Sequence, residues 1–255
     1  AGSGKAKTLW AWIAELLAQG RCQPSEIVAV TFTRRAAGEL RERLGALLGP
    51  VADSLLIGTF HRLALSVAPL DSPLRLAEES EQRQLVEQAL AQSGCRRSPA
   101  SMQSLLSLRK GQCPDYPDRL ARGDLDLSAE ELTVCQRYAA LCAAQQLCDL
   151  DDLLLRALSA IEAGVLPQTF RFVAVDEYQD VSAVQRAITV ALGKTATVLA
   201  IGDPDQAIYA FRGGEVRHFH GFLADFPTAE RRYLSENYRS SPEIVRAAAS
   251  VIAQN

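Results

Sequence analysis

Two acidic residues stand side by side where an apolar run ends, in the segment FVAVDE at residues 172–177. Asp176 and Glu177 therefore follow a predicted buried strand, and open α/β sheets bind ligands beyond the carboxyl ends of their strands. One carboxylate at such an edge can hold a hydrated Mg²⁺, and a second can orient or deprotonate a water molecule. The competing interpretation is a strand end capped by solvated acids.

The first residues, AGSGK, match the end of the phosphate-binding pattern G-x-x-x-x-G-K-[ST]. In that pattern Gly2, Ser3 and Gly4 would turn backbone N–H groups toward phosphates, and Lys5 would reach the β and γ oxygens. Ala6 stands where Ser or Thr would normally bind Mg²⁺. A plain flexible start is the alternative, but the amphipathic helix predicted directly afterwards favours a phosphate loop.

A second polar loop, IGDPDQAIYAFRGGE at residues 201–215, also follows a predicted strand. It offers the amide of Gln206, the rings of Tyr209 and Phe211, and the cation of Arg212. Exposed aromatic rings beside arginine are suited to stacking the bases of a single strand. Alternatively, both rings pack the loop onto the domain.

A basic helix start follows the strand at residues 27–32, in the segment TFTRRAAGELRERL. Phe32 lies between the hydroxyls of Thr31 and Thr33, and Arg34 and Arg35 come next. Hydroxyl and basic groups at a helix start suit contacts with nucleic-acid phosphates. A solvated helix face is the alternative interpretation.

The elements that must position these groups alternate along the chain. Apolar runs predict strands at residues 27–32, 55–60, 172–177 and 197–203, and helical patterns lie at 7–19, 34–49 and 182–192. This alternation predicts an α/β fold with a parallel, doubly wound sheet. Residues 62–148 contain helical patterns, a loop at 111–124 and no convincing strand, which indicates an all-helical insertion. Ser241 and Pro242 open a last helix that reaches about Gln254.

Composition sets only broad limits. The net charge of −3 gives no overall nucleic-acid signal, although a basic stripe can lie on an acidic protein. Six scattered cysteines without a CxxC pair predict reduced thiols in a cytoplasmic protein. No apolar stretch approaches the ~20 residues that a membrane helix needs. Because the chain lacks an initiator Met and opens inside a motif, we expect it to be part of a longer protein.

Seven short motifs occur one after another along the chain, and together they are typical of one protein family. They are AGSGK, TFTRRAA, GTFH, CDLDDLL, VDEYQD, GDPDQAIYAFRGG and LSENYRS, spread from end to end. The chain thereby resembles the UvrD/Rep-type superfamily 1 DNA helicases. The resemblance implies a parallel-sheet P-loop NTPase (RecA-like) motor domain at residues 1–62 and 149–255, with a helical inserted subdomain at 63–148. It also implies ATP and Mg²⁺ as cofactors.

The resemblance assigns roles at the nucleotide. Lys5 would bind the phosphates, Asp176 would hold Mg²⁺, and Glu177 would be the base for the attacking water. Gln206 would sense the γ-phosphate and couple it to the DNA groove, and Arg239 of LSENYRS would contact the γ-phosphate.

The resemblance also implies a DNA track and a structural segment. The single-strand track would be lined by Phe32, His61, Tyr209 and Phe211, with Thr31, Thr33 and Thr59 as phosphate contacts. The acids of CDLDDLL are expected to be structural rather than catalytic; they are Asp149, Asp151 and Asp152.

The partner would be single-stranded DNA or a single/double-strand junction, with movement in the 3′–5′ direction. The second motor domain, whose arginine completes the ATP site, is expected to be missing from this chain, which alone would then be inactive. One alternative is a degenerate member of the family that grips DNA or a partner without hydrolysis, as Ala6 would favour. Another is a different phosphate-loop enzyme such as a kinase, but a kinase needs no single-strand track.

Overall fold

A four-stranded parallel sheet lies at the centre of the protein. The computed structural model describes residues 2–68, 73–91, 93–207 and 216–253. Its strands are β1 (Ile27–Val30), β2 (Leu56–Gly58), β3 (Arg75–Leu76), β4 (Leu147–Cys148), β5 (Phe172–Val175) and β6 (Thr197–Ala200). The central sheet has the order β2-β1-β5-β6, and all of its neighbouring pairs are parallel.

Helices surround this sheet and fill the region before β5. They are α1 (Lys5–Ala18), α2 (Arg34–Leu48), α3 (Phe60–Val67), α4 (Glu79–Ala91), α5 (Pro99–Gln112), α6 (Tyr116–Arg122), α7 (Ala129–Ala144), α8 (Leu150–Glu162), α9 (Ala183–Gly193), α10 (Val216–His220), α11 (Phe222–Asp225) and α12 (Pro242–Ile252). The four strands of the central sheet were all predicted, and each ends two or three residues earlier than expected. The predicted α/β fold class is confirmed.

Both faces of the central sheet are buried, which explains why its strands read as continuous apolar runs. Ile27 and Ala29 of β1 belong to an apolar cluster with residues of α1 and α2. Val28 and Val30 belong to a second cluster with residues of α3, α8 and α9. Because successive side chains of a strand point to opposite faces, the two clusters cover opposite sides of the sheet. The sheet is thus doubly wound, as predicted.

The region between α3 and α8 is mainly helical, with two differences from the prediction. Helix α6 lies inside the predicted loop at 111–124, because Pro117 occupies its first turn, where no N–H is needed, and Gly123 caps it at φ +71°. The two-residue strands β3 and β4 pair in parallel. They are too short to leave a periodic signal, so the expectation of no strand in this region was wrong.

A buried ion cluster joins α5 to the start of α8. Lys110 Nζ lies 2.7 Å from Asp149 Oδ2 and 2.5 Å from Asp152 Oδ1, and Tyr138 donates to Asp149 at 3.0 Å. Asp149 and Asp152 also form the capping box of α8. Burial alone would raise the pKa of Asp149, but the Lys110 ammonium and these hydrogen bonds hold it below its ordinary value. Asp149 and Asp152 therefore have the structural role that was expected of the CDLDDLL acids, and for Asp151 that role stays a prediction.

The six cysteines all lie in described parts of the chain and carry free thiols, five of them buried. This agrees with the expectation of reduced cysteines. Across the residues that the structure describes, no helix is both long and apolar enough to cross a membrane.

Candidate active site

Asp176 and Glu177 lie at the carboxyl edge of the sheet, directly after β5. The Asp176 N–H extends the sheet by donating to Val30 O at 2.9 Å. Glu177 adopts φ +51°, a left-handed conformation that is uncommon for a residue with a side chain. Strained backbone of this kind is concentrated at functional sites, where neighbouring structure holds it. The turn ends the strand and directs the chain across the edge.

The Asp176 carboxyl is poorly solvated. Its Oδ1 atom is buried and makes no hydrogen bond to any residue that the structure describes. Burial, and then the charge of Glu177, raise its pKa to about 6. A buried carboxylate oxygen without a partner is costly unless it binds something. This oxygen has the chemistry of a ligand for a hard cation such as Mg²⁺.

The phosphate loop leads into helix α1 at the same edge of the sheet. Gly2 and Gly4 have φ +79° and +85°, in the region that glycine adopts without steric cost, and Gly4 is the N-cap of α1. The loop thus leads into a helix N-terminus, whose N–H groups and dipole favour an anion. Ala6 is exposed, and the nearby Thr8 hydroxyl donates to Gly4 O at 3.3 Å.

Lys5 connects the loop to the acids. Its Nζ atom lies 3.6 Å from Glu177 Oε2 and 3.6 Å from Asp203 Oδ2, and its side chain is only 13% exposed. Both distances are longer than a normal hydrogen bond, and the Nζ atom makes no hydrogen bond within the described chain. The ammonium is therefore held by charge and can still donate to phosphate oxygens.

The loop after β6 forms the next side of the site. Asp203 accepts a hydrogen bond from the Gln206 amide and another, at 3.3 Å, from the Asp205 N–H. Gln206 is thus joined through Asp203 to the neighbourhood of Lys5, and its contact with the γ-phosphate stays a prediction.

The LSENYRS segment closes over the phosphate loop. The Tyr238 N–H donates to Gly2 O at 2.9 Å, and Asn237 Oδ1 accepts from the N–H groups of Arg239 and Ser240, both at 2.9 Å. A Cβ atom at Gly2 would lie 2.7 Å from Arg239 Cβ, so glycine is needed for this close approach. The structure therefore brings the backbone of Arg239 beside Gly2 of the glycine loop, while Arg239 itself is exposed.

Several of the residues predicted to contact DNA follow β1 and β2. The Thr31 hydroxyl is buried and donates to Thr33 O at 3.0 Å, and the Thr33 hydroxyl caps α2 by accepting from Ala36 N–H at 3.1 Å. Phe32 is partly buried. A phosphate contact by Thr31 would require its hydroxyl to change partner, so that role stays a prediction.

Basic residues lie in the first turns of the helices that follow β1 and β2. Burial, and then the charge of Arg34, lower the pKa of His61. Arg35 pairs with Glu39 at 3.0 Å on the surface of α2. Thr59 precedes α3 and is partly exposed, without a side-chain capping bond. Two further residues of the predicted track and the basic residue beside them lie outside the described part of the chain; they are Tyr209, Phe211 and Arg212.

Sequence reasoning assigned no role to two residues that the structure brings into the site, Gln179 and Asp203. Gln179 is 2% exposed and contacts both Glu177 and Asp203. The sequence shows Gln179 two residues after the paired acids, but the direction of its side chain depends on the left-handed turn at Glu177. Asp203 is the last residue of the predicted strand at 197–203, and its place at the sheet edge was a usable signal.

A parallel sheet with a glycine loop, a lysine and paired acids at its carboxyl edge defines a phosphate-loop nucleotide-binding domain. A family model described as the UvrD/REP helicase N-terminal domain matches residues 1–227, and the chain belongs to this family.

Curated relatives match over the whole chain. The chain is 33% identical to "DNA helicase II" of Escherichia coli strain K12 over 270 residues, covering 100% of this chain and 38% of that protein. It is 30% identical to "ATP-dependent DNA helicase PcrA" of Bacillus subtilis over 273 residues, covering 100% of this chain and 37% of that protein. The chain thus spans a little over a third of the length of these relatives.

Proposed function

We propose that this chain is the ATP-binding portion of an ATP-dependent DNA helicase or translocase. The observation that carries the proposal is the meeting of Lys5, Asp176 and Glu177 at one edge of the sheet, beside the N-terminus of α1. The names of the relatives support ATP and DNA as the substrates. Movement in the 3′–5′ direction rests on the family resemblance.

In this proposal the chain's own residues bind and hydrolyse the nucleotide. Lys5 moves from its contacts with Glu177 and Asp203 to the β- and γ-phosphate oxygens. Glu177 accepts a proton from a water molecule as the water oxygen attacks the γ-phosphorus. The bond from the γ-phosphorus to the bridging oxygen breaks, and ADP and phosphate leave. Asp176 would hold Mg²⁺, which when bound would neutralise charge on the β and γ oxygens.

Further residues would make this chemistry dependent on DNA. Gln206 and Arg239 are proposed to contact the γ-phosphate, because their segments lie beside Lys5 and Gly2. An arginine from a second motor domain would complete the site, and such a residue can be worth roughly 10³–10⁵ in rate. The division into a motor domain at 1–62 and 149–255 and a helical subdomain at 63–148 belongs to the same proposal, as does a cytoplasmic location.

The DNA partner is proposed to be a single strand or a single/double-strand junction. Phe32 and His61 would lie along the strand together with Tyr209 and Phe211, and the hydroxyls at residues 31, 33 and 59 would contact phosphates with Arg34 and Arg35. The ends of β1 and β2, which carry the first of these groups, lie at the same edge as the nucleotide site.

A second candidate function is favoured by one observation, the absence of a hydroxyl at Ala6. A hydrolysis-deficient family member would bind DNA or a protein partner with this site without turning over ATP.

The test uses the full-length protein in ATPase assays with and without single-stranded DNA, and in strand displacement with 3′ or 5′ tails. We expect DNA-stimulated turnover and displacement from the 3′ tail. Lys5→Met should abolish nucleotide binding, whereas Glu177→Gln should keep binding and lose roughly 10²–10⁴ in turnover, as expected for loss of a general base. The exposed Lys7→Met is the matched control on α1. Nucleotide and DNA binding without turnover would support the second candidate, and absence of both would refute the first.

A further inference from the structure

Both the nitrogen and the oxygen of the Gln179 side-chain amide form hydrogen bonds inside the site. Its Nε2 atom donates to Glu177 Oε2 at 2.9 Å and to Asp180 Oδ2 at 3.1 Å. Its Oε1 atom accepts from the Asp203 N–H at 2.9 Å. A backbone N–H can only donate and an ionised carboxylate can only accept, so only this orientation of the amide satisfies every contact.

The loop after β6 is shaped to reach this amide. A Cβ atom at Gly202 would lie 2.6 Å from Gln179 Oε1 and 2.7 Å from Phe219 Cε2. Both separations are shorter than real contacts allow, so any larger residue would push the loop away. Gly202 thus permits the Asp203 N–H to approach Gln179. Asp203 in turn accepts from the Gln206 amide, so one chain of hydrogen bonds runs between the two functional segments.

The Glu177 end of this chain needs such support. Glu177 has a left-handed backbone and is only partly buried. Besides the hydrogen bond from Gln179, its carboxylate has a described ionic contact with Lys5 Nζ at 3.6 Å. If Lys5 turns toward phosphates, the hydrogen bond from Gln179 is the contact that continues to orient the carboxylate. A small displacement of a catalytic group lowers the reaction rate strongly, since a displacement of about 1 Å can reduce the rate by on the order of 10²-fold.

We propose that Gln179 is a positioning residue that fixes the Glu177 carboxylate relative to the loop carrying Asp203 and Gln206. This inference deepens the proposed function and rests on it. Gln179 contacts no substrate atom in this role. It acts through Glu177 on the water and through Asp203 on the segment that responds to DNA.

Two substitutions separate the donor role of the Gln179 amide from its acceptor role. Gln179→Met keeps the length of the side chain and removes both its donors and its acceptor. Gln179→Glu keeps an acceptor for the Asp203 N–H but cannot donate to carboxylates while ionised. Because a third acid beside Glu177 and Asp180 is driven to hold its proton, lowering the pH should restore one donor. Gln136→Met is the control, since that amide donates to Leu120 O in the helical region.

The experiment measures ATP turnover of the full-length protein with and without single-stranded DNA, over pH 6–9, with ATP affinity measured by a fluorescent analogue. We expect kcat to fall on the order of 10²-fold in Gln179→Met, with KM and analogue affinity within about threefold, because the phosphate loop is untouched. Gln179→Glu should lose a similar factor at pH 9 and recover at least tenfold by pH 6, relative to wild type at each pH. A purely structural role would not produce this recovery.

Amide hydrogen exchange at Asp203 provides a readout independent of turnover. Protection should persist in Gln179→Glu and be lost in Gln179→Met. An unchanged kcat in Gln179→Met, or an equal fall in Gln136→Met, would overturn the positioning role while leaving the proposed function intact. If Gln179→Met does not fold, a pH-independent loss in the isosteric Gln179→Glu would overturn it equally. A wild-type protein without turnover would refute the proposed function and the positioning role together.

Discussion

Replacing Asp176 by Asn should stabilise the ligand-free chain at neutral pH, although it removes a proposed catalytic residue. The reason lies in the Asp176 carboxyl, which has a buried Oδ1 without a hydrogen bond among the described residues and a pKa raised to about 6. The folded chain therefore holds this proton to higher pH than the unfolded chain. Stability is lost as the pH rises through the interval from about 4 to 6.

The magnitude follows from the two pKa values. The rise from the ordinary value of 3.8 to about 6 corresponds to about 3 kcal/mol at ~1.4 kcal/mol per pH unit. Asn resembles the protonated acid and carries no charge, so at pH 7 to 8 it should recover roughly 2–3 kcal/mol. For 255 residues, with an unfolding entropy of ~2.1 cal/mol/K per residue, this is roughly 4–6 °C in Tm. At pH 4 the difference should fall to roughly 0.6 kcal/mol, because the folded wild-type chain is then almost fully protonated at this position and the unfolded chain is about 40% protonated.

The assay is thermal and urea unfolding of wild type and Asp176→Asn between pH 4 and 8, first in EDTA and then in millimolar Mg²⁺. Asp53→Asn is the matched control, because it removes an exposed carboxylate elsewhere on the chain. Mg²⁺ should raise the Tm of wild type and leave Asp176→Asn unchanged if Asp176 holds the ion. A variant that is no more stable than wild type at pH 8, or whose advantage does not shrink toward pH 4, would refute the reasoning.

Three further outcomes are expected. Ala6→Thr should strengthen Mg²⁺-dependent binding of a fluorescent ATP analogue and leave binding in EDTA unchanged; equal affinities would show that residue 6 does not face the metal. Lys110→Met should destabilise the chain by about 3–5 kcal/mol in urea unfolding, because Asp149 is left buried without its cation; a change below 1 kcal/mol would contradict a structural role for the cluster. The double change Tyr209→Ala and Phe211→Ala should weaken oligonucleotide binding in anisotropy by roughly 1–3 kcal/mol per stacked base, with an unchanged salt dependence; normal binding with a lowered Tm would mean that the rings only pack the loop.

The sheet could be predicted because its strands lie between two layers of helices. Burial on both faces produces unbroken apolar runs such as residues 27–30, and these runs survive in the sequence without tertiary knowledge. The missed elements have no such signal. Helix α6 has a proline in its first turn and lies inside a stretch rich in turn-forming residues. Strands β3 and β4 exist only because two distant segments happen to meet.

Part of the site could be predicted for a related reason. Lys5, Asp176 and Glu177 are adjacent to elements whose ends must gather at one edge of a parallel sheet, so topology alone brings them together. The contacts of Gln179 could not be derived in this way. They depend on a left-handed turn at Glu177 and on a glycine at 202 that admits the neighbouring loop, and both are details of backbone conformation rather than of pattern.

The charges of the site fit the proposed binding of a nucleotide. Asp176, Glu177 and Asp203 supply three acids to one edge, and Lys5 is the described cation held against two of them, at distances too long for hydrogen bonds. The Asp176 carboxyl is correspondingly reluctant to ionise. A phosphate chain with its cation would give Lys5 close oxygen partners and Asp176 a positive neighbour, while Gln179 keeps Glu177 in place. The instability that Asp176→Asn tests and the positioning that Gln179→Met tests are therefore two consequences of one arrangement, in which acids gathered for the proposed chemistry lower the stability of the fold.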